Sequence, residues 1–281
     1  MSLPDIQRTL DGRGVAINSV GVTGIRMPIR IKRQPHDTAG QTPHCDTVGE
    51  FELAVSLPMA VKGTHMSRFT QVLMEFIDTE GVFSSTGLIT LAQAIAKRLE
   101  SKDVTVRVRL DYFMLQNAPA TSALGVAPMK GFLECRLLDG APFCRTGIEV
   151  EGKTCCPCSK EISDYDHGTG RGKGAHAQRS RINIEVKHLP GVTVWFESLV
   201  HIAWRAFSQP VYPVLKRPDE RHVTMGAYNN PKFVEDVIRD VVLQLRQYPL
   251  VGGFRVRVQN AESIHYHDAF AEVEEEGYSH A

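Results

Sequence analysis

The chain has 281 residues, 42% of them apolar and 23% charged, and its 32 basic and 32 acidic side chains cancel. That balance excludes a disordered chain and a sequence-wide basic footprint for nucleic acid, and the length suits one large or two ordinary domains. No run of about 18 apolar residues offers a transmembrane helix. The opening MSLPDIQRTLDGRG lacks the apolar stretch of a signal peptide, so a cytoplasmic protein without membrane partners is expected.

Residues 1–15 read as an N-terminal tail. Ile25, Met27, Ile29 and Ile31 then recur with period two, between Arg26, Arg30 and Lys32, as in a half-buried strand. Phe51, Leu53, Val55 and Leu57 repeat the alternation. At Phe69 the period changes: Phe69, Val72, Leu73, Phe76 and Ile77 form one face of a helix, and Leu88, Leu91, Ala92, Ile95 and Leu99 form a second. Val104, Val106, Val108 and Leu110 return to strand spacing, and Gly131–Leu138 predicts one more strand. Over 16–140 the order is ββααββ.

Asp139-Gly140-Ala141-Pro142 is a strong turn. After it the order recurs over 141–281. Phe143–Gly152 predicts a strand, and Ile182, Ile184 and Val186 another. Trp195, Leu199, Ile202, Ala203 and Ala206 mark a helix face. Asn230-Pro231 predicts a helix start, and Phe233, Val237, Val241 and Leu245 mark its buried face. Phe254, Val256 and Val258 predict a strand, Ser263–Glu272 the last one, and Glu272–Glu276 a solvated tail. Lys160–Arg179 and Ser208–Tyr228 read as long loops of the kind that carry function. The repeat is one of architecture, not of residues. It predicts an α+β fold of antiparallel sheets with paired helices, whose free edges favour oligomers.

Three of the six cysteines are crowded into Cys155–Cys158. Cytosolic cysteines are more often ligands or catalysts than disulfides. Cys156-Pro157-Cys158 is followed 18 residues after Cys158 by His176, and thiolate with imidazole suits zinc or another borderline divalent metal. The spacing is not that of a zinc finger, and buried reduced thiols are the alternative; Cys155 packs inward on that reading. Glu262, His265 and His267 form a second cluster. On a regular strand the two histidines share a face, and Glu262 joins them only through a bulge. The set suits metal ligation or acid–base work, against an incidental surface strand. Glu235 is either a plain helix N-terminal carboxylate or an anchor for two N–H groups of a planar heterocycle. His65-Met66-Ser67-Arg68 opens the first helix, with Ser67 as a candidate cap and Arg68 and the helix start as a candidate anion site.

GTHMSRF (63–69), CPCSKEIS (156–163), GAHAQRS (174–180), LKRPDE (215–220), NPKFVED (230–236) and ESIHYHDAF (262–270) together resemble the GTP cyclohydrolase type IB family. The resemblance implies a tandem tunnelling fold, two ββααββ units per chain, closing as an oligomeric barrel. It implies a homotetramer with active sites between subunits. The implied reaction hydrolyses GTP with water to 7,8-dihydroneopterin triphosphate and formate, the first step of tetrahydrofolate biosynthesis.

On matching positions the resemblance makes Cys156, Cys158, His176 and Glu220 the metal-site residues, one thiol being the ligand and the other having a separate role. The metal is one divalent ion per site: zinc, manganese or Fe(II). Glu235 resembles the purine anchor, and Glu262, His265 and His267 the C-terminal catalytic motif. A bound metal would make hydroxide from water at neutral pH to attack purine C8. His265 or His267 would move protons to N7 and N9. Glu235 would pair with guanine N1–H and the 2-amino group and reject adenine. His65 is a further substrate-binding candidate, and Arg68, Lys160, Arg179, Lys216 and Arg217 are candidates for the triphosphate. His167, in the segment 164–173 that departs from the family pattern, competes with His176, whose GAHAQRS context matches. Three rivals are kept: an archaeal-type relative giving a cyclic phosphate, a tunnelling-fold 7-deazaguanine nitrile reductase with a cysteine nucleophile and no metal, and a metal-stabilised scaffold without catalysis.

Overall fold

The computed structural model describes residues 5–35, 42–165 and 174–277. The elements follow in chain order: β1 (Ile17–Lys32), β2 (His44–Leu57), α1 (Met66–Thr79), β3 (Val82–Phe83), α2 (Ser85–Leu99), β4 (Val104–Asn117) and β5 (Leu124–Leu138). Then come β6 (Ala141–Cys155), α3 (Pro157–Tyr165), β7 (Ala177–His188), α4 (Phe196–Ala206), β8 (Gln209–Pro210), α5 (Arg217–Asn229), α6 (Val234–Arg246), β9 (Val251–Ala261) and β10 (Ala269–Glu276). The α+β ββααββ order therefore occurs twice, with α3 and α5 added to the second pass. The hydrogen-bonded strand order is β10-β9-β7-β6-β5-β4-β2-β1-β3, with β8 on β6.

Two compact units result, and β4, β5 and β6 each contribute one part to each of them. The first unit comprises the residues up to Asp111 with Phe132–Thr146 and Pro190–Thr193. Its β1 and β2 pair antiparallel from Ile17↔Leu57 to Lys32↔His44, with a register shift between Thr23 and Ile25 where Gly24 takes φ +76°. Phe51 and Leu53 of β2 and Val106 and Val108 of β4 are buried under Phe69 and Leu73 of α1 and Leu88 and Ile95 of α2. Phe83 of β3 wedges in, with ring centroids 5.3 Å from Phe51 and 5.1 Å from Phe76. Ser84 caps α2 by accepting the Gly87 amide at 3.2 Å. Asp139 (φ 48°) and Gly140 (φ 84°) make the predicted β5–β6 turn, in the left-handed conformation that a two-residue hairpin demands.

The second unit comprises Tyr112–Gly131, Gly147–Leu189 and the residues from Val194 onward. Ile182, Ile184, Val256 and Val258 face Leu199 and Ala203 of α4 and Val237, Val241 and Leu245 of α6, all buried. β7 pairs β9 from Arg179↔Ala261 to His188↔Val251, and β9 pairs β10 from Asn260↔Ala269 to Gly253↔Glu276.

Several local expectations are corrected. The last strand is Ala269–Glu276, not Ser263–Glu272, so His265 and His267 stand on a bent loop rather than on one strand face. Glu272–Glu276 is part of β10 rather than a tail, with Glu272, Glu274 and Glu276 exposed as expected. Its carboxylates meet a basic surface: Glu272 pairs with Arg255 at 3.0 Å and Arg257 at 3.3 Å, and Glu276 with Lys187 at 2.5 Å. Lys160–Arg179 is a loop only in part, since α3 runs to Tyr165 and β7 begins at Ala177, and α5 occupies much of Ser208–Tyr228. Asn230 does not start α6; it ends α5, and its amide donates to the Phe207 and Ser208 carbonyls at 3.3 and 3.2 Å. Asp236 caps α6 instead, accepting the Phe233 amide at 2.9 Å. Ser67 lies inside α1, whose N-cap is His65.

Asp219 of α5 is fully buried. Burial pushes its pKa up, but the Thr121 hydroxyl and the Lys216, Ala120 and Thr121 amides outweigh this and hold it well below the usual carboxylate range. A folded pKa below the unfolded one means stability that is fully present above about pH 4 and is lost as pH falls through the folded value. Acid unfolding monitored by circular dichroism should therefore show a flatter acid limb in Asp219→Asn than in the parent. Parallel limbs would refute this.

Candidate active site

The cysteine cluster sits where β6 runs into α3. Cys155 is buried, its amide donates to Ser208 Oγ at 3.2 Å, and its carbonyl accepts the Lys232 amide at 3.0 Å. Burial pushes the Cys155 thiol up, against the pull of Lys153. It packs inward, as read from the sequence. Cys156 precedes α3, Pro157 opens it, and the Lys160 amide closes the first turn on the Cys156 carbonyl at 3.1 Å. Cys158, in that turn, is exposed, and all six cysteines are free thiols.

His176 comes to the same place from β7. The Cys156 amide donates to the His176 carbonyl at 3.1 Å, and the His176 amide donates to Ser159 Oγ at 3.2 Å. Its Nδ1 lies 3.1 Å from Gln178 Oε1, 3.4 Å from Ser263 Oγ and 4.0 Å from Glu262 Oε2. Glu262 Oε2 is buried and accepts no hydrogen bond. The structure therefore links the two clusters through His176, just before β7: its main chain is bonded to Cys156 and its ring lies 4.0 Å from Glu262. His265 and His267, on the same loop as Glu262, stack with ring centroids 5.1 Å apart and planes at 14°, and both are exposed.

The other candidates are spread over the two units. Lys160 lies 4.7 Å over the Tyr228 ring, and Tyr228 Oη donates to Asp164 Oδ1 at 2.6 Å. Arg179 pairs with Glu151 at 3.0 Å. Glu220 is exposed on α5 and lines a cleft of about 290 Å³ with Lys153, Arg179 and Tyr212. Lys216 is the N-cap of α5. Glu235 is exposed in the first turn of α6, and because Asp236 does the capping, the Glu235 carboxylate is left for other work. In the first unit, His65 faces Asp5 at 3.3 Å and Arg68 donates to the Arg98 carbonyl at 3.4 Å. Both line a cleft of about 540 Å³ with Ser101, Lys102 and Asp103. His167 lies outside the described residues.

A metal is implied by the residue types, and the geometry of His176 suits one. Its Nδ1 is engaged by Gln178, as an imidazole is usually held when its other nitrogen binds a metal, and an unpaired buried carboxylate oxygen stands beside it. Among the described residues no group of three or more His, Cys, Asp and Glu side chains is placed to hold a metal ion. Gln178, Ser159, Ser263 and Asp219 were not picked out from the sequence. Gln178 had a signal, since it stands two residues from His176 and a strand returns that spacing to one face. The other three carry no pattern.

Comparison with known proteins places these observations. The family model described as Type I GTP cyclohydrolase folE2 matches residues 3–271. The chain is 36% identical to the GTP cyclohydrolase FolE2 of Dictyoglomus turgidum over 274 residues, covering 97% of this chain and 98% of that one. It is 38% identical to that of Caldicellulosiruptor saccharolyticus over 273 residues, covering 97% and 98%. Among solved structures it resembles the urate oxidase of Bacillus sp. TB-90, with a TM-score of 0.55 at 10% identity, covering 92% of this chain and 100% of that one. The uricase of Arthrobacter globiformis gives 0.52 at 10% identity, covering 92% and 94%. These structural likenesses speak for the tunnelling fold alone.

Proposed function

Because the chain belongs to the type I GTP cyclohydrolase FolE2 family, we propose that it hydrolyses GTP to 7,8-dihydroneopterin triphosphate and formate at a metal-dependent site built around His176. The observation that supports the site is the main-chain bond that holds Cys156 to His176, with Gln178 fixing the imidazole and Glu262 4.0 Å from it. His176, a thiolate from Cys156 or Cys158, and Glu220 would hold the ion; zinc, manganese and Fe(II) all accept such donors. When bound, it lowers the pKa of a water and makes hydroxide available at neutral pH.

The chain's own residues do the rest. The exposed Glu235 carboxylate accepts guanine N1–H and the 2-amino group, and adenine leaves it unpaired. His265 or His267 carries protons to N7 and N9 as the imidazole ring opens. Glu262, beside His176, holds that loop to the end of β7 and orients the reacting water. Lys160, Arg179 and Lys216 meet the triphosphate. The exposed Ile264, Tyr266 and Phe270 around the catalytic loop support assembly as a homotetramer with shared sites. Six free thiols support a cytoplasmic setting. No helix among the described residues is long and apolar enough to cross a membrane. The cyclic-phosphate and nitrile-reductase alternatives are not favoured, since the matching family and relatives are type I cyclohydrolases.

The test is to strip the reduced protein of metal, add zinc, manganese or Fe(II) separately, and follow formate and pterin mass. Formate release should rise about 100-fold or more over the stripped protein with at least one metal. No formate with any of them, from protein that remains folded, would overturn the reading.

A further inference from the structure

Two further cysteines stand on neighbouring strands of the first unit, Cys135 on β5 and Cys144 on β6. β5 ends at Leu138 and β6 begins at Ala141, so the two-residue turn Asp139-Gly140 sets their register. Leu138 lies opposite Ala141, Leu137 opposite Pro142, and Cys135 opposite Cys144. The burial pattern agrees: Leu133, Cys135 and Leu137 are buried on β5, and Cys144 and Thr146 on β6. The pair that closes such a hairpin is hydrogen-bonded, and the alternation makes Cys135 and Cys144 a non-hydrogen-bonded pair. Cα atoms in such a pair lie about 4.5 Å apart, with their side chains close together. A disulfide needs about 4.4–6.8 Å between Cα atoms, so the backbone already has the separation that the bond requires.

Both thiols are in the core, Cys135 0% and Cys144 7% exposed. Cys144 Sγ donates to the carbonyl of Ser85, in the first turn of α2, at 3.9 Å. The two thiols are also hydrogen-bonded to each other. That bond, together with burial, pushes the Cys135 pKa well up, and the same bond pulls Cys144 down against its burial. Cys144 is therefore the thiol that gives up its proton more readily. The end of the hairpin, Leu138–Pro142, is exposed, and its fraying opens a path to the pair.

We propose that Cys135 and Cys144 form an oxidation site, a dithiol that a small-molecule disulfide such as oxidised glutathione closes into a cross-strand disulfide within the folded protein. The Cys144 thiolate attacks one glutathione sulfur, the glutathione S–S bond breaks, and one glutathione leaves as its thiolate and takes up the Cys144 proton. Cys135 then loses its proton and attacks the Cys144 sulfur of the mixed disulfide, and the second glutathione leaves with that proton. Two protein thiols are oxidised, and one glutathione disulfide is reduced to two thiols. The new bond joins side chains that the register already holds together, so it stabilises the fold.

The residues around the pair make the test direct. Trypsin cuts after Lys130, Arg136 and Arg145, which puts Cys135 and Cys144 on separate peptides, 131–136 and 137–145. The parent, folded in buffer or unfolded in urea, is equilibrated with reduced and oxidised glutathione. Free thiols are trapped with N-ethylmaleimide, and the digest is read by mass spectrometry without reduction. The folded protein should give the two peptides joined, lighter by two hydrogens than their sum. Its oxidation constant should exceed that in urea by about 30-fold or more, the low end of what a disulfide contributes to a fold. The oxidised parent should melt above the reduced parent, and Cys135→Ala should lose both the joined species and that rise. The proposal is overturned if the folded protein gives no joined peptide, if its constant is no higher than in urea, or if closing the bond abolishes the native circular dichroism.

Discussion

His176→Ala should cost about three orders of magnitude in kcat/KM for GTP and should empty the protein of metal. Several kcal/mol of transition-state stabilisation are expected from a metal-activated water, and each 1.4 kcal/mol is about a factor of ten. The fold should survive. The bonds that fix the segment, from the Cys156 amide and to Ser159 Oγ, use the His176 main chain and not its ring. Gln178→Ala should be milder, about 10- to 100-fold in metal affinity, because it loosens the ring without removing the donor. Metal content by mass spectrometry, read beside GTP turnover, checks both. Parental metal content in His176→Ala, with kcat/KM within tenfold of the parent, would move the metal elsewhere.

Glu235→Gln should lower kcat/KM for GTP by about 100- to 1,000-fold while leaving the melting temperature unchanged. The amide keeps one acceptor but presents N–H to the guanine N–H groups, leaving donors unpaired in the bound state. Glu235 is exposed and its neighbour Asp236 caps α6, so stability should not register the change. Asp236→Asn should behave in the opposite way, costing about 1 kcal/mol of stability with KM for GTP unmoved. On this expectation two adjacent carboxylates divide, one serving the substrate and one the helix. Equal effects of both variants on KM would sink the assignment.

Seven of the strands and four of the helices were legible because each buries an apolar face, and burial writes its period into the residues: Val104, Val106 and Val108 on β4, Val237, Val241 and Leu245 on α6. α5 was not legible because one of its three buried side chains is a carboxylate, which reads as surface. α3 buries none of its residues and so has no apolar period to show. β10 was misplaced because its alternation is written in charge: Glu272 meets Arg255 and Arg257, while the histidines before it looked more strand-like than the glutamates within it. In the candidate site, residue type and spacing singled out Cys156, His176 and Glu262 separately. That His176 lies against both of the others depends on the turns between β6 and α3 and between β9 and β10, which no single segment encodes. The supporting oxygens of Gln178, Ser159 and Ser263 are ordinary polar residues, distinguished only by what they touch.

The backbone bond between Cys156 and His176, with Ser159 accepting from the latter, closes a ring of chain whose two ends are fixed at the base of the site. For a closed loop the entropic penalty of extra length grows only with its logarithm, about 0.6 kcal/mol for each doubling. The two main-chain bonds therefore set where the first turn of α3 lies against the start of β7, whatever the length of chain between them. The closed base, rather than the sequence distance between Cys158 and His176, is what brings the two motifs side by side.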